Sequence, residues 1–148
     1  MTDNDFGITP ELVIFVKRAE GWVGHPYRDQ VGLPTIGYGH RIDSMDHPNI
    51  TLVEGTDLLM QDLRDKRDAL LAISPSLEHA SEQRVAALVD FCFNLGEGAY
   101  AHSTLRRYVD DGDWKLAASE IKKWCHAGGH VLPELVARRN TEALWLNE

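Results

Sequence analysis

Apolar residues recur at helical spacing soon after the start of the chain. Thr9 followed by Pro10 is typical of a helix N-terminus, because threonine caps free backbone N–H groups and proline favours the first helical position. Apolar side chains then follow at intervals of three or four residues, at Leu12, Phe15, Val16 and Ala19, until Gly21 interrupts the pattern. The pattern predicts a helix from about residue 10 to residue 20.

The pattern changes to short, turn-rich segments between Pro26 and Arg41. Proline and glycine alternate here with single apolar residues, which is typical of short strands joined by tight turns. Residues 29–32 are the expected turn. Two or three such strands are too small a sheet to be stable alone, so we expect them to pack against helices.

Helical patterning dominates after Pro48. Thr51 and Glu54 have the spacing of a capping box, which predicts a long helix to about Ala72. Ser81 predicts the start of a helix to Leu95 that is apolar on nearly every face and therefore central and buried. Shorter helices are predicted over residues 103–110, 113–125 (closed by Gly128 and Gly129) and 133–146. The fold class is thus α+β, a small N-terminal antiparallel sheet packed on a mostly helical domain.

Composition and charge restrict the possible functions. The chain has 148 residues with 15 basic and 23 acidic side chains, so its formal charge is 15 − 23 = −8, and its length fits one domain. The acidic excess argues against nucleic-acid binding. No apolar stretch is long enough for membrane insertion, and the acidic N-terminus is not a secretory signal. Cys92 and Cys125 fit no zinc spacing and are expected to be buried thiols.

Glu20, Asp29 and Thr35 are the strongest candidates for chemistry. A helix end that leads into a tight hairpin can place two carboxyl groups across one groove, an arrangement suited to cleavage of a glycosidic bond. The helix dipole should raise the pKa of Glu20, as a general acid requires, whereas backbone donors in the turn should keep Asp29 ionised. Thr35 could hold a water molecule beside Asp29. The alternative is a solvated helix end and an ordinary turn residue.

The order and spacing of these three residues resemble those of the phage-type lysozymes of glycoside hydrolase family 24, a family of endolysins. The resemblance covers about residues 12–145 and includes the blocks Ile36–His40, Ala87–Gly96, Ser103–Leu105, Gly112–Trp114 and Gly128–Pro133, with Arg138 and Arg139. It departs at Glu134, where many members carry glycine, and in the acidic total charge, which is unusual beside the basic lysozymes of this family.

The resemblance implies a lysozyme-like fold and a muramidase that hydrolyses the β-1,4 bond between N-acetylmuramic acid and N-acetylglucosamine, with inversion at the anomeric carbon. Glu20 would be the general acid, and Asp29 and Thr35 would position the water, with no metal or organic cofactor. The expected substrate-binding residues are Arg41, Phe93, Asn94 and Ser103, and the expected supporting residues are His40 and Arg138. An arginine beside Glu20 would lower the pKa of Glu20 and oppose the helix dipole.

The organisation implied by the resemblance is one catalytic domain over residues 1–148. The first helix (10–20) and residues 51–148 would form a helical lobe, and residues 20–50 a smaller lobe containing the sheet. The expected partner is bacterial peptidoglycan. We expect a monomer that stays in the host cytoplasm until a holin opens the membrane, without stable membrane insertion of its own. Two alternatives are a non-catalytic peptidoglycan-binding module and a lysis protein whose last helix permeabilises membranes.

Overall fold

The computed structural model describes residues 4–148 and has a small sheet between an N-terminal helix and a larger group of helices. The elements in chain order are α1 (Pro10–Glu20), β1 (Val23–Arg28), β2 (Pro34–Gly37), β3 (His40–Arg41), α2 (Leu52–Ile73), a 3₁₀ helix (Pro75–His79), α3 (Glu82–Leu95), α4 (Glu97–Ala101), α5 (Thr104–Asp110), α6 (Trp114–Ile121), β4 (His126–Ala127), β5 (His130–Val131) and α7 (Pro133–Leu146). The predicted α+β class is confirmed.

Local capping explains why α1 and α2 begin where the sequence predicts. The Thr9 hydroxyl accepts a hydrogen bond from the Leu12 N–H at 3.1 Å. Thr51 and Glu54 form the predicted capping box, in which the backbone N–H of each residue donates to the side chain of the other. These bonds satisfy N–H groups that have no partner within the helix, and they fix both starting points.

The sheet is antiparallel in the order β1-β2-β3, and Thr35 in the middle strand pairs with Tyr27 on one side and Arg41 on the other. The sheet is anchored by Trp22, whose ring lies 5.0 Å from that of Tyr38. The Trp22 ring also packs so closely on Gly55 of α2 that a Cβ atom at residue 55 would collide with it. The expected packing of the sheet on a helix is therefore observed.

Helix α3 lies at the centre of the molecule, as predicted. Every residue from Val85 to Cys92 is buried, and α1, α2, α4 and α7 pack around this helix. Cys92 and Cys125 are both free thiols, the first buried and the second half-buried. Within residues 4–148, no helix combines the length and apolar character needed to cross a bilayer.

The region after α5 differs from the prediction. Helix α6 ends at Ile121, four residues before the predicted end at Cys125, and a short hairpin of β4 and β5 follows. Gly128 and Gly129 do not close a helix but form the hairpin turn, with φ angles of 58° and 80°. Two consecutive positive φ angles suit glycine and match the twist of a two-residue hairpin. The 3₁₀ helix and α4 are also additions to the predicted elements.

Candidate active site

A cleft of about 1510 Å³ runs between the hairpin of β1 and β2 and the helices. Its walls include side chains from α1, the sheet, α2, α3, the second hairpin and α7. Of the residues predicted from the sequence to act at the site, the cleft is lined by Glu20, Asp29, Thr35, His40, Arg41, Phe93, Asn94 and Arg138. The fold therefore brings these residues together from distant parts of the sequence.

Glu20 is the last residue of α1, and its side chain is 27% exposed at the wall of the cleft. Gly39, with a φ of 75°, lies so close that a Cβ atom there would collide with the Glu20 carboxylate. On the other side, Arg138 Nη1 lies 3.8 Å from Glu20 Oε2. The glycine thus leaves the space that the acid occupies, and the arginine approaches it without forming a hydrogen bond of ordinary length.

The pKa of Glu20 is raised above its ordinary value of 4.5. Burial is the largest cause; the charge of Arg138 lowers this pKa, and the charge of Asp90 raises it. The sequence left the net direction open, because the helix dipole and a nearby arginine would act against each other; in the structure, burial decides the direction. A carboxyl group in this environment retains its proton to higher pH, as a general acid requires.

Asp29 is held by the backbone of its own turn. Asp29 Oδ1 accepts hydrogen bonds from the N–H groups of Val31 at 3.0 Å and Leu33 at 2.9 Å, while Arg41 Nη2 lies 3.4 Å from Oδ2. These hydrogen bonds, that from Leu33 first, and the charge of Arg41 lower the pKa of Asp29 from its ordinary value of 3.8. The pKa values of Glu20 and Asp29 are therefore shifted in opposite directions, which suits one group that acts as an acid and one that acts as a base.

Thr35 is buried in β2, and its hydroxyl group donates to the carbonyl oxygen of Leu33 at 2.8 Å. This bond uses the hydroxyl proton and leaves oxygen lone pairs available to accept a hydrogen bond from water. The Leu33 N–H group donates to Asp29 at the same time. Asp29 and Thr35 are thus fixed relative to each other by one residue between them.

Tyr27 is a site residue that the sequence analysis did not identify. It lines the cleft, and its pKa is raised first by burial and then by the negative charges of Glu20 and Asp29, which places its hydroxyl group within the field of both acids. Its position two residues before Asp29 in the same hairpin is the signal that could have identified it. Gly39 was likewise missed as a residue that shapes the site.

His40 and Arg41 occupy β3 at the edge of the sheet. His40 Nδ1 lies 2.8 Å from Asp62 Oδ2 of α2 and so ties the sheet to this helix. Arg41 lines the cleft and faces Asp29. Both are placed where a supporting residue and a substrate-binding residue could act.

Phe93 and Asn94 lie near the end of α3 at the wall of the cleft. Phe93 also packs partly against the hydrophobic core, and Asn94 Oδ1 accepts a hydrogen bond from Arg139 at 2.9 Å. Ser103 differs, because it is not among the described residues that line the cleft. Its hydroxyl group caps α5 by accepting from the Arg106 N–H at 3.0 Å, and it donates to the Tyr100 carbonyl.

Metal-binding groups do not gather at this cleft or elsewhere in the described chain. Within residues 4–148, no cluster of three or more histidine, cysteine, aspartate or glutamate side chains could hold a metal ion. The polar side chains that line the cleft carry carboxyl, hydroxyl, amide, imidazole, ammonium and guanidinium groups.

Comparison with known proteins agrees with this arrangement. Residues 17–142 match the profile of the family described as phage lysozyme. The SAR-endolysin of bacteriophage PS119 is 35% identical over 131 residues, which cover 85% of this chain and 77% of that protein. The muramidase domain of SpmX from Asticaccaulis excentricus superposes with a TM-score of 0.82 at 28% identity, covering 95% of this chain and 97% of the other. A mutant of P22 lysozyme superposes with a TM-score of 0.79, also at 28% identity, over 95% of this chain and 97% of its own. The chain belongs to the phage lysozyme family.

Proposed function

We propose that the cleft hydrolyses the β-1,4 bond between N-acetylmuramic acid and N-acetylglucosamine, with Glu20 as the general acid. As a phage lysozyme, the protein is a peptidoglycan-degrading endolysin. The observation that carries the assignment of roles is that one cleft holds both acids in different settings, Glu20 partly buried and Asp29 hydrogen-bonded to its own turn, which raises the pKa of Glu20 and lowers that of Asp29. Such a pair divides the reaction between a proton donor and a charged partner.

In the proposed reaction, Glu20 gives its proton to the glycosidic oxygen as the bond to the anomeric carbon breaks. A water molecule donates hydrogen bonds to Asp29 Oδ2 and to the Thr35 hydroxyl oxygen, which leaves one of its lone pairs directed at that carbon. The water then bonds to the carbon from the opposite face and gives a proton to Asp29. Because attack and departure occur on opposite faces, the product has inverted anomeric configuration.

The proposal that Asp29 and Thr35 hold the water is supported by the hydrogen bonds that these two side chains already make. The backbone N–H groups of Val31 and Leu33 donate to Asp29 Oδ1, whereas Oδ2 accepts none of these hydrogen bonds and, with Arg41 Nη2 at 3.4 Å, keeps lone pairs for water. The Thr35 hydroxyl proton points to Leu33, so its oxygen can only accept from a water molecule. The two acceptors therefore dictate how the water is oriented.

Substrate binding is proposed for the residues along the walls of the cleft. Arg41 offers an exposed guanidinium group, and Phe93 offers an aromatic ring against which a sugar face can pack. Asn94 has a fixed amide orientation because Arg139 holds its oxygen, which suits recognition of an acetamido group. Ser103 is a weaker candidate, since its hydroxyl group is engaged in capping α5.

The biological setting is part of the proposal. We infer that the chain acts as one catalytic domain and as a monomer, and that it remains in the host cytoplasm until a holin admits it to the cell wall. The three residues of the reaction come from α1 and from the hairpin of β1 and β2, and the walls around them come from helices as distant as α7. No cofactor is required by the proposed reaction.

The two alternatives make different demands on the molecule. A binding module that does not cut would have no need for two oppositely shifted acids in its cleft. A membrane-permeabilising role for α7 would need an amphipathic helix free to leave the protein. Ala143 and Leu146 of α7 are instead buried in the core, together with Arg138 and Arg139.

Digestion of purified sacculi tests the reaction. We expect the wild-type protein to release fragments with reducing muramic-acid ends, identified by mass spectrometry, and we expect proton NMR of fresh product to show inverted configuration. Anhydro-sugar ends would instead indicate a transglycosylase, and retained configuration would contradict the water-mediated scheme.

Two substitutions test the roles of the acids. Glu20→Gln should abolish release of fragments because an amide cannot donate a proton of comparable acidity, and Asp29→Asn should reduce it by about 10²–10⁴-fold. Glu78→Gln, on the exposed 3₁₀ helix, is the matched control and should retain wild-type activity. Killing of intact cells that survives Glu20→Gln would support the membrane alternative.

A further inference from the structure

A buried ionic network lies directly behind Glu20, at the interface of α3 and α7. It joins Asp90 of α3 to Arg138, Arg139 and Glu142 of α7. Asp90, Arg139 and Glu142 are fully buried, and Arg138 is 7% exposed. Charged groups are removed from water only at a large cost in free energy unless they are paired, so their geometry is closely defined.

Arg138 is bound on one side and open on the other. Its Nε and Nη2 donate to the two oxygens of Asp90 at 2.9 Å and 2.8 Å, a bidentate pair. Its Nη1 faces Glu20 Oε2 at 3.8 Å, beyond hydrogen-bond distance. The guanidinium group of Arg138 is therefore hydrogen-bonded to Asp90, and it lies near Glu20 without a hydrogen bond to it.

The positive charge of this guanidinium group favours the ionised form of Glu20 and so opposes the proposed role of Glu20 as a proton donor. A cation within about 4–6 Å of a carboxyl group lowers its pKa by roughly 1–3 units when nothing offsets it. Burial of Arg138 makes the effect larger, since water and salt cannot screen the charge. Asp90 supplies the offset, because its negative charge acts on Glu20 in the opposite direction to that of Arg138.

We propose that Asp90 is a positioning residue of the lysozyme reaction. Asp90 binds Arg138 through both carboxylate oxygens, and Glu20 can therefore keep its proton beside a buried cation. The proposal rests on the proposed role of Glu20 as the general acid. Asp90 does not line the cleft among the described residues; it holds Arg138 in place, and its charge acts on Glu20 from behind that side chain.

The ionisation of Asp90 itself follows from its neighbours. Burial alone would raise the pKa of Asp90, but hydrogen bonds from Glu142 and Arg138 outweigh burial and hold that pKa below its ordinary value. Burial raises the pKa of Glu142, so Glu142 retains a proton to higher pH than Asp90 does. Among the described residues, the titratable and charged groups that interact electrostatically with Glu20 or Asp90 include Arg138, Arg139 and Glu142 on α7, Cys92 on α3 and Tyr27 on β1.

The test compares two single substitutions that should shift the titration of Glu20 in opposite directions. Asp90→Asn leaves the charge of Arg138 without its offset, so the pKa of Glu20 should fall by roughly one unit. Arg138→Gln removes the cation, so the pKa of Glu20 should rise. The double substitution keeps two hydrogen-bonding amide groups and should return the pKa of Glu20 close to the wild-type value.

The titration of Glu20 is followed by carbon-13 NMR of its side-chain carboxyl group, in full-length protein and without substrate. If Asp90 and Arg138 only held α3 and α7 together, both single substitutions would weaken folding without opposite shifts in this titration. Unchanged titration, or shifts of the same sign, would overturn the proposal. If Asp90→Asn does not fold, Arg138→Gln and the double variant still isolate the effect of Asp90, which should again be to raise the pKa of Glu20.

Activity profiles of the same variants separate this proposal from the assignment of Glu20. The alkaline limit of activity should move with the measured titration, so that Asp90→Asn loses about tenfold more activity than the wild type above that limit, as one pKa unit dictates. A titration that shifts while the alkaline limit stays in place would show that Glu20 is not the acid. A titration that does not shift would overturn the role of Asp90 alone. Glu78→Gln, far from this network on the 3₁₀ helix, should change neither measurement.

Discussion

Asp29 and Thr35 are joined through the backbone of the single residue Leu33. The Leu33 N–H group donates to the Asp29 carboxylate at 2.9 Å, and the Leu33 carbonyl oxygen accepts from the Thr35 hydroxyl group at 2.8 Å. Neither side chain can turn away without breaking a bond to the same residue. The proposed water site is therefore arranged before substrate binds, which reduces the reorganisation required during the reaction.

Substitution of Thr35 tests this arrangement. Thr35→Ala removes the hydroxyl oxygen that would orient the water and should lower kcat by at least tenfold, with a smaller change in KM. Thr35→Ser keeps the hydroxyl group and should retain most of the activity, which makes it the matched control. Kinetics on soluble glycan fragments give both constants, and equal activity of the two variants would contradict the water-positioning role.

The pH dependence of kcat/KM should be bell-shaped. Glu20 must be protonated to act, and because its pKa is raised, activity should continue above its ordinary value of 4.5. Asp29 must be ionised, and because its pKa is lowered, activity should continue below its ordinary value of 3.8 until Asp29 takes a proton or the protein unfolds. Initial rates across this range in buffers of constant ionic strength provide the measurement.

Arg41 identifies which limb of that profile belongs to Asp29. Its charge contributes to the lowered pKa of Asp29, so Arg41→Gln should move the acidic limb to higher pH and leave the alkaline limb in place. The shift should shrink at high salt because Arg41 is exposed. Movement of the alkaline limb instead would contradict the assignment of the two acids.

Gly39 should be intolerant of any side chain. In Gly39→Ala the new Cβ atom meets the Glu20 carboxylate, so the acid must move and activity should fall steeply. The positive φ of 75° also predicts a loss of about 1–2 kcal/mol in the free energy of unfolding.

Gly112→Ala provides the matched control for that substitution. Gly112 has a similar φ of 71°, but nothing lies within 4 Å of the added Cβ atom. It should lose similar stability in urea denaturation and keep normal activity. Comparable activity losses in the two variants would mean that backbone strain, rather than contact with Glu20, is responsible.

Ser103 should act on stability more than on substrate. Ser103→Ala removes the N-cap of α5 and should cost about 1 kcal/mol of the free energy of unfolding, with KM unchanged. Ser81→Ala removes the N-cap of α3 and should behave in the same way. A raised KM with unaltered stability would instead support the substrate-binding role predicted from the sequence.

The elements predicted well from the sequence are those defined by nearby residues. Helix α1 begins at Pro10 and ends at Glu20, because a threonine cap, a proline and a glycine at Gly21 all lie within twelve residues of one another. The capping box fixes the start of α2 in the same way. The opposite case is the pair Gly128 and Gly129, since two glycines can end a helix or turn a hairpin, and only the strands on either side decide between these.

The arrangement of the candidate site residues could be predicted from the sequence only in part, for the same reason. The hairpin places Asp29 and Thr35 by local pairing, so their proximity follows from the sequence pattern. The environment of Glu20 does not follow from the local sequence pattern. It depends on burial and on three residues from other segments of the chain, Gly39, Asp90 and Arg138. The direction of its pKa shift depends on which of these opposing effects is larger, and that comparison requires the folded structure.

The position of Arg138 in α7, far from Glu20 along the sequence, has a consequence for synthesis of the protein. The ribosome completes Glu20 long before α7, so a growing chain that stops short of α7 lacks the arginine beside the acid. Translation proceeds at about 5–20 residues per second, which leaves an interval of several seconds between the two. The nascent chain therefore cannot assemble the surroundings of Glu20 seen here until α7 has been synthesised.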